Sequence, residues 1–309
     1  MMDVFAFLFS TTVLAAAVRM ATPLIFASLG GLFSERAGII NIALEGIMLT
    51  GAFSAMLVTS FVGNPWVGLV GAVITGAMMA LIHAVVCIRY HANHVVSGTA
   101  INIFAGGLTV FLLRLVFNVA GTSPAVARIP AVRLPLVADI PWIGPVLGQQ
   151  NIMVYVAVAL VFVSWFVLFK TVWGLRLRSV GEHPKAADTV GVNVFVMRYT
   201  ALALSGALAG LGGAYLSIAH LSRFGDQMTA GRGFIALAAM IFGKWNPIGA
   251  MGAALFFGYA DALQMRLQEV GIPSQFVSML PYVLTMVALA GFIGRATPPK
   301  ALGKPYTKE

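Results

Sequence analysis

Side chains with chemical potential are few in this chain, and the informative ones are carboxylates and amides set in apolar surroundings. Glu45 lies in Asn41-Ile42-Ala43-Leu44-Glu45-Gly46-Ile47-Met48, and Asp261 stands three residues before Gln264. An ionisable group in hydrocarbon costs ~2.5–3.5 kcal/mol on insertion scales, so it faces a bundle interior or a water-filled path. Spacings of i, i+4 for Asn41 and Glu45, and of i, i+3 for Asp261 and Gln264, predict two polar helix faces. Two roles fit these four residues: they line a translocation path or gate, or they lock helices together through hydrogen bonds. His83 and Asn102 suit the second role. Catalytic spacings are missing. The chain has no GxxxxGK[ST], HExxH or GxSxG, so it offers neither a P-loop nor the usual hydrolytic constellations. Cys87 stands alone, which excludes an internal disulfide and a Cys-rich metal site. His91 and His94, the one close His pair, fall at a basic helix end and suit an interfacial role better than a metal site. No catalytic, metal or cofactor-binding residue is expected, and the chain does not read as an enzyme.

The longest polar stretch runs from Lys170 to Arg198 and holds five of the nineteen Lys and Arg residues: Lys170, Arg176, Arg178, Lys185 and Arg198. Pro184 suits the first turn of a short helix, and Gly191 suits its end. Lys185 to Val190 is therefore expected to form about two turns along the membrane surface, with Ala186, Ala187 and Val190 as a small apolar face. Such a loop serves topology alone or docks a soluble partner. A docking surface is the reading adopted.

The elements that must position these groups are membrane helices. The chain has 309 residues, 60% hydrophobic and 9% charged, with a mean hydropathy of +0.93. A soluble domain carries about 25% charged residues, and a helix needs about 20 apolar residues to cross a bilayer. The fold class is therefore all-α: one polytopic membrane domain over residues 1–309. Its loops are a central cytoplasmic loop at 170–197, an external loop at 118–150 and a cytoplasmic tail at 295–309. About nine spans (8–10) are expected: Asp3–Phe33 as one helix or a hairpin, Ile39–Val62, Trp66–Ile88, Val95–Phe117, Asn151–Phe169, Met197–Ala219, Gly233–Lys244, Ile248–Leu267 and Ser274–Ile293. Gly233–Lys244 is short and is expected to tilt, break or re-enter. Gly206 and Gly210 form a GxxxG pair suited to close helix packing. Orientation follows the Lys/Arg bias. With the central loop inside, Arg36, Arg89, the five loop residues, Lys244, Arg295, Lys300, Lys304 and Lys308 are cytoplasmic. That makes twelve against six outside, provided Gly233–Lys244 crosses. The net charge of +9 is thus accounted for by membrane topology, and nucleic acid is not an expected partner.

Three stretches carry a family resemblance: Gly30-Gly31-Leu32-Phe33-Ser34-Glu35-Arg36-Ala37-Gly38-Ile39-Ile40-Asn41-Ile42-Ala43-Leu44-Glu45-Gly46, Leu177-Arg178-Ser179-Val180-Gly181-Glu182-His183-Pro184-Lys185-Ala186-Ala187, and Gly231-Arg232-Gly233 through Trp245-Asn246-Pro247. With the hydropathy pattern, the chain resembles permease subunits of ABC importers of the branched-chain amino acid, ribose and simple-sugar family. It looks most like the nucleoside and simple-sugar branch. His183 stands where the common family form has Asn. The resemblance implies a coupling segment at Gly181 to Gly191, with Gly181, Glu182, His183, Pro184, Lys185, Ala186, Ala187 and Asp188 meeting an ATPase subunit that itself binds the ATP. It also implies a second homologous permease, giving a heterodimeric pore, an extracytoplasmic substrate-binding protein, membrane lipid as surroundings and an inner-membrane location. A nucleoside is the expected substrate and a simple sugar the runner-up. An ion-coupled secondary transporter, working through Glu45 and Asp261 without any ATPase, is the rival from another class.

Overall fold

A computed structural model describes residues 10–268, 279 and 297–308. Among these the chain is mostly helical. Six helices are long and apolar enough to cross a membrane: α1 (Thr11–Arg36), α2 (Leu44–Val62), α3 (Pro65–Ala84, prolonged by a π turn over Val85–Arg89), α4 (His94–Phe117), α7 (Ile152–Lys170) and α10 (Val194–Ala214, prolonged by a π turn over Tyr215–Leu221). Between α4 and α7 lie β1 (Ala131–Arg133), α5 (Pro135–Ala138), α6 (Ile143–Leu147) and β2 (Gln149–Asn151). The two strands pair antiparallel, Ala131 opposite Asn151. After α7 come α8 (Val172–Glu182) and α9 (Pro184–Thr189); after α10 come α11 (Arg232–Phe242) and α12 (Pro247–Gln268).

Helix ends follow the local sequence. Ser10 caps α1 by accepting from the Val13 N–H, Asn93 caps α4, and Gly63 in the left-handed conformation closes α2 ahead of Asn64-Pro65. From Thr11 the first apolar stretch runs as one continuous helix that absorbs Pro23, so no hairpin turn falls within its described residues. The second span starts later than expected: residues 37–43 are non-helical and α2 begins at Leu44. The Ser274–Ile293 span falls outside the described residues, apart from Met279.

Helix α10 lies at the centre, packed on α1, α2 and α3. Close approach is set by small residues. A Cβ on Gly206 would meet the Gly76 carbonyl oxygen, and one on Gly210 would meet that of Ala72. The GxxxG pair thus works as a backbone-to-backbone seam. At one end of the bundle the tail lies against the central loop: the Ala301 N–H donates to the Gly181 carbonyl (2.9 Å) and the Gly303 N–H to the Gly38 carbonyl (2.9 Å). Central loop and tail therefore share one side, as the charge bias requires.

Candidate functional site

Eleven residues of α11 rise roughly 16 Å, about half of a ~30 Å hydrocarbon core. Ahead of it lies the non-helical segment 222–231, in which Ser222, Gln227, Ala230 and Gly231 all have positive φ. Irregular backbone packed among membrane helices requires internal hydrogen-bond partners, and the loop at 118–150 supplies them. The Ile129, Val126 and Ser123 N–H groups donate to the carbonyls of Ile218, Ser222 and Phe224, and the Asp226 N–H donates to the Gly121 carbonyl.

The start of α11 is where Glu45 acts. Its N-cap is Gly231, at φ 82°, which has no side chain to offer the first free amides. Glu45, in the first turn of α2, takes over that task from across the bundle. Its Oε1 accepts from the Gly231 N–H (2.8 Å) and its Oε2 from the Gly233 N–H (2.6 Å). A carboxylate here satisfies orphan donors and complements the positive end of the helix dipole. Gly233 is required by this approach, since a Cβ would lie 2.5 Å from the Glu45 Cα. Arg232, between the two glycines, donates from Nη1 to the Met228 and Thr229 carbonyls. Of the two carboxylates singled out in the sequence, Glu45 is thus held at this helix end through backbone amides, while Asp261 lies half-buried on α12.

Asn41 does not share a helix face with Glu45, contrary to the spacing. It lies in the non-helical 37–43 segment, fully buried, with Nδ2 donating to Ser205 Oγ (3.0 Å). The segment stays non-helical, with side chains satisfying its backbone. The Ile40 N–H donates to His94 Nδ1, His83 Nε2 lies 3.0 Å from the Ile40 carbonyl, and Asn102 accepts from the Gly46 N–H while donating to the Ile42 carbonyl. His83 and Asn102 are thus interhelical ties, and His94 is a third. Gln264 lies half-buried on α12, a turn beyond Asp261. Among the described residues no group of three or more His, Cys, Asp or Glu is arranged to hold a metal ion.

The other candidate region is the polar end. Helix α8 lies beneath α1 and α7, burying Leu177, Val180 and Gly181. A Cβ on Gly181 would collide with the Arg36 carbonyl. Arg36 and Arg178 both lie over the Phe169 ring, at 5.7 and 5.1 Å. After a break at His183, α9 forms the short helix expected from Pro184, and Gly191 at φ 85° ends the turn. One detail of the expected apolar face changes. Ala187 turns inward at 3% exposure, while Val190 is 78% exposed and Ala186 is exposed with it. Nearby, Trp245 ties the end of α11 to α1: its Nε1 donates to Glu35 Oε2 (2.6 Å), and its carbonyl accepts from Arg36 Nε and Nη2. The pairing of Glu35 and Arg36 with Trp245, and the docking of the tail, were not foreseen. The Gly231-Arg232-Gly233 run before an apolar stretch was the only sequence sign of the Glu45 joint.

Comparison with known proteins adds the following. The family described as "Branched-chain amino acid transport system / permease component" matches residues 13–289. The guanosine ABC transporter permease protein NupQ of Bacillus subtilis is 46% identical over 307 residues, covering 96% of each chain. The nucleoside ABC transporter permease protein NupC of Lactococcus lactis is 45% identical over 299 residues, 93% of this chain and 94% of that one. TsgC13 of Haloferax volcanii, provisionally assigned as a glucose ABC transporter permease protein, is 34% identical over 97% of this chain and 99% of its own. No solved structure matches.

Proposed function

Because the chain belongs to the branched-chain amino acid transport system permease family, we propose that it is the membrane permease subunit of an ATP-driven importer for a nucleoside. The observation that carries this is near-full-length identity of 45–46% to permeases of guanosine and nucleoside ABC transporters. The relatives are transport components rather than enzymes, and the chain is a multi-pass protein of the bacterial inner membrane. A simple sugar is the second reading, favoured by the 34% identity to TsgC13.

The proposed path has nine crossings: the six long helices, the broken crossing of residues 222–242, α12, and residues 274–293. A tail hydrogen-bonded to the central loop supports this count, because an even number of crossings must then separate them. An ATPase subunit binds ATP and docks on Gly181 to Asp188, where α9 projects beyond the bundle. The exposed Val190, Ala186 and Lys185 support that role. A second, non-identical permease completes the pore, and an external binding protein delivers substrate. Glu45 and Asp261, with Gln264, act at the broken crossing, where a half-helix held by one carboxylate is a natural element to shift between outward and inward access. Asn41 holds the elbow that carries Glu45.

The test is uptake of radiolabelled guanosine by cells or vesicles containing the permease pair, the ATPase and the binding protein. Glu182→Lys and Pro184→Gly should lower ATPase recovery and uptake with membrane insertion unchanged. Accumulation driven by a proton or sodium gradient without ATPase would overturn the proposal.

A further inference from the structure

The tail is built into the polar end rather than attached to it. Besides the bonds from Ala301 to Gly181 and from Gly303 to Gly38, the Lys300 N–H donates to Glu182 Oε2 (3.3 Å) and Arg198 Nη2 donates to the Lys304 carbonyl (3.4 Å). Arg198, 2% exposed, lies beneath the Tyr306 ring at 6.0 Å, and Phe195 packs on the same ring at 5.4 Å. Ala301 and Tyr306 are each 5% exposed. Chain from three places, the α1 elbow, the α8–α9 joint and the tail, is thereby fixed as one surface. Between joint and tail opens a cavity of about 390 Å³, with Glu182–Lys185 on one wall and Lys300 and Lys304–Tyr306 on the other. Lys185, Lys300 and Lys304 are exposed around it, and Glu182, the one carboxylate on its walls among the described residues, accepts from the Lys300 amide.

We propose that the tail, residues 300–307, is the second wall of a composite groove that receives an acidic segment of the ATPase subunit. This rests on the reading of Gly181 to Asp188 as the ATPase-docking segment and extends it. The occupant is argued from continuity, since the groove opens on the same residues, and from charge, since its mouth is lysine-rich. A pull on the joint is also conveyed through Ala301 and Gly303 to Gly38, the start of the elbow that carries Glu45.

The assembled transporter in its membrane provides the test. A photo-crosslinker (p-benzoylphenylalanine) replaces Lys185, Lys304 or Tyr90; Tyr90 is an exposed residue following α3. Crosslinks to the ATPase from positions 185 and 304 but not from 90 are the expected result. Crosslinks from 185 with none from 304, or from 304 only to lipid or to the partner permease, overturn the composite groove and leave docking at the α8–α9 joint intact. No ATPase crosslink from either position overturns both. Independently, Lys300→Glu with Lys304→Glu should lower ATPase recovery about threefold to tenfold, the scale of two exposed charge contacts, and unchanged recovery would also refute the groove.

Discussion

Replacing Glu45 by Gln tests the joint at the start of α11 with almost no change of shape. In the native arrangement each carboxylate oxygen accepts one amide, Gly231 at 2.8 Å and Gly233 at 2.6 Å. A glutamine keeps one carbonyl oxygen and turns an NH₂ donor toward the other N–H. One hydrogen bond to a charged acceptor is lost, ~1.5–3 kcal/mol, and with it ~0.3–1 kcal/mol of charge–helix-end attraction. A sum of ~2–4 kcal/mol shifts the closed–open balance of the joint about 30-fold to 700-fold, at 1.4 kcal/mol per tenfold. Hydrogen–deuterium exchange reads this directly, because the Gly231 and Gly233 amides owe their protection to Glu45. Peptides covering 229–236 should exchange at least about 30-fold faster in the purified variant, and uptake should fall at equal membrane abundance. Unchanged exchange with unchanged uptake would refute the capping argument. Loss of yield with normal uptake per molecule would reduce Glu45 to a folding role.

Gly233→Ala should produce the same exchange signature with the carboxylate intact, because the new Cβ lies 2.5 Å from the Glu45 Cα; combined with Glu45→Gln it should be clearly non-additive, as expected for two changes at one contact. Gly206→Val should sharply lower the amount of folded protein in detergent extracts, since its side chain overlaps the Gly76 carbonyl; normal recovery by size-exclusion chromatography would contradict the seam. Trp245→Phe removes the donor to Glu35, a side chain only 4% exposed, and should cost ~1–3 kcal/mol, seen as a lower thermal midpoint of the purified protein.

The long apolar helices were legible because their runs exceed the length of a span, and their boundaries fall within a few residues of those expected. The two turns of α9 were legible from Pro184 and Gly191. The elbow was not. Asn41 and Glu45 have helical spacing, but His83, His94 and Asn102, from two other helices, bond residues 40–46 and hold the non-helical turn into α2. Local spacing cannot register partners brought in by tertiary contact. The capping of α11 by Glu45 was invisible for the same reason, being made to backbone amides more than 180 residues further along the chain. The tail was read from its charge alone, whereas its attachment runs largely through main-chain atoms of Ala301 and Gly303, which leave no side-chain signature.

The half-length of α11 bears on how the protein is made. A segment of eleven residues that begins with Arg232 falls well short of the ~20 apolar residues that partition into lipid unaided. Its attachment points, Glu35 and Arg36 of α1 and Glu45 of α2, precede it in the chain, so they are already in place to receive it when it leaves the ribosome. Its insertion therefore depends on helices made earlier, and a nascent chain long enough to carry α11 clear of the ribosome should remain sensitive to protease in that stretch if Glu45 has been removed.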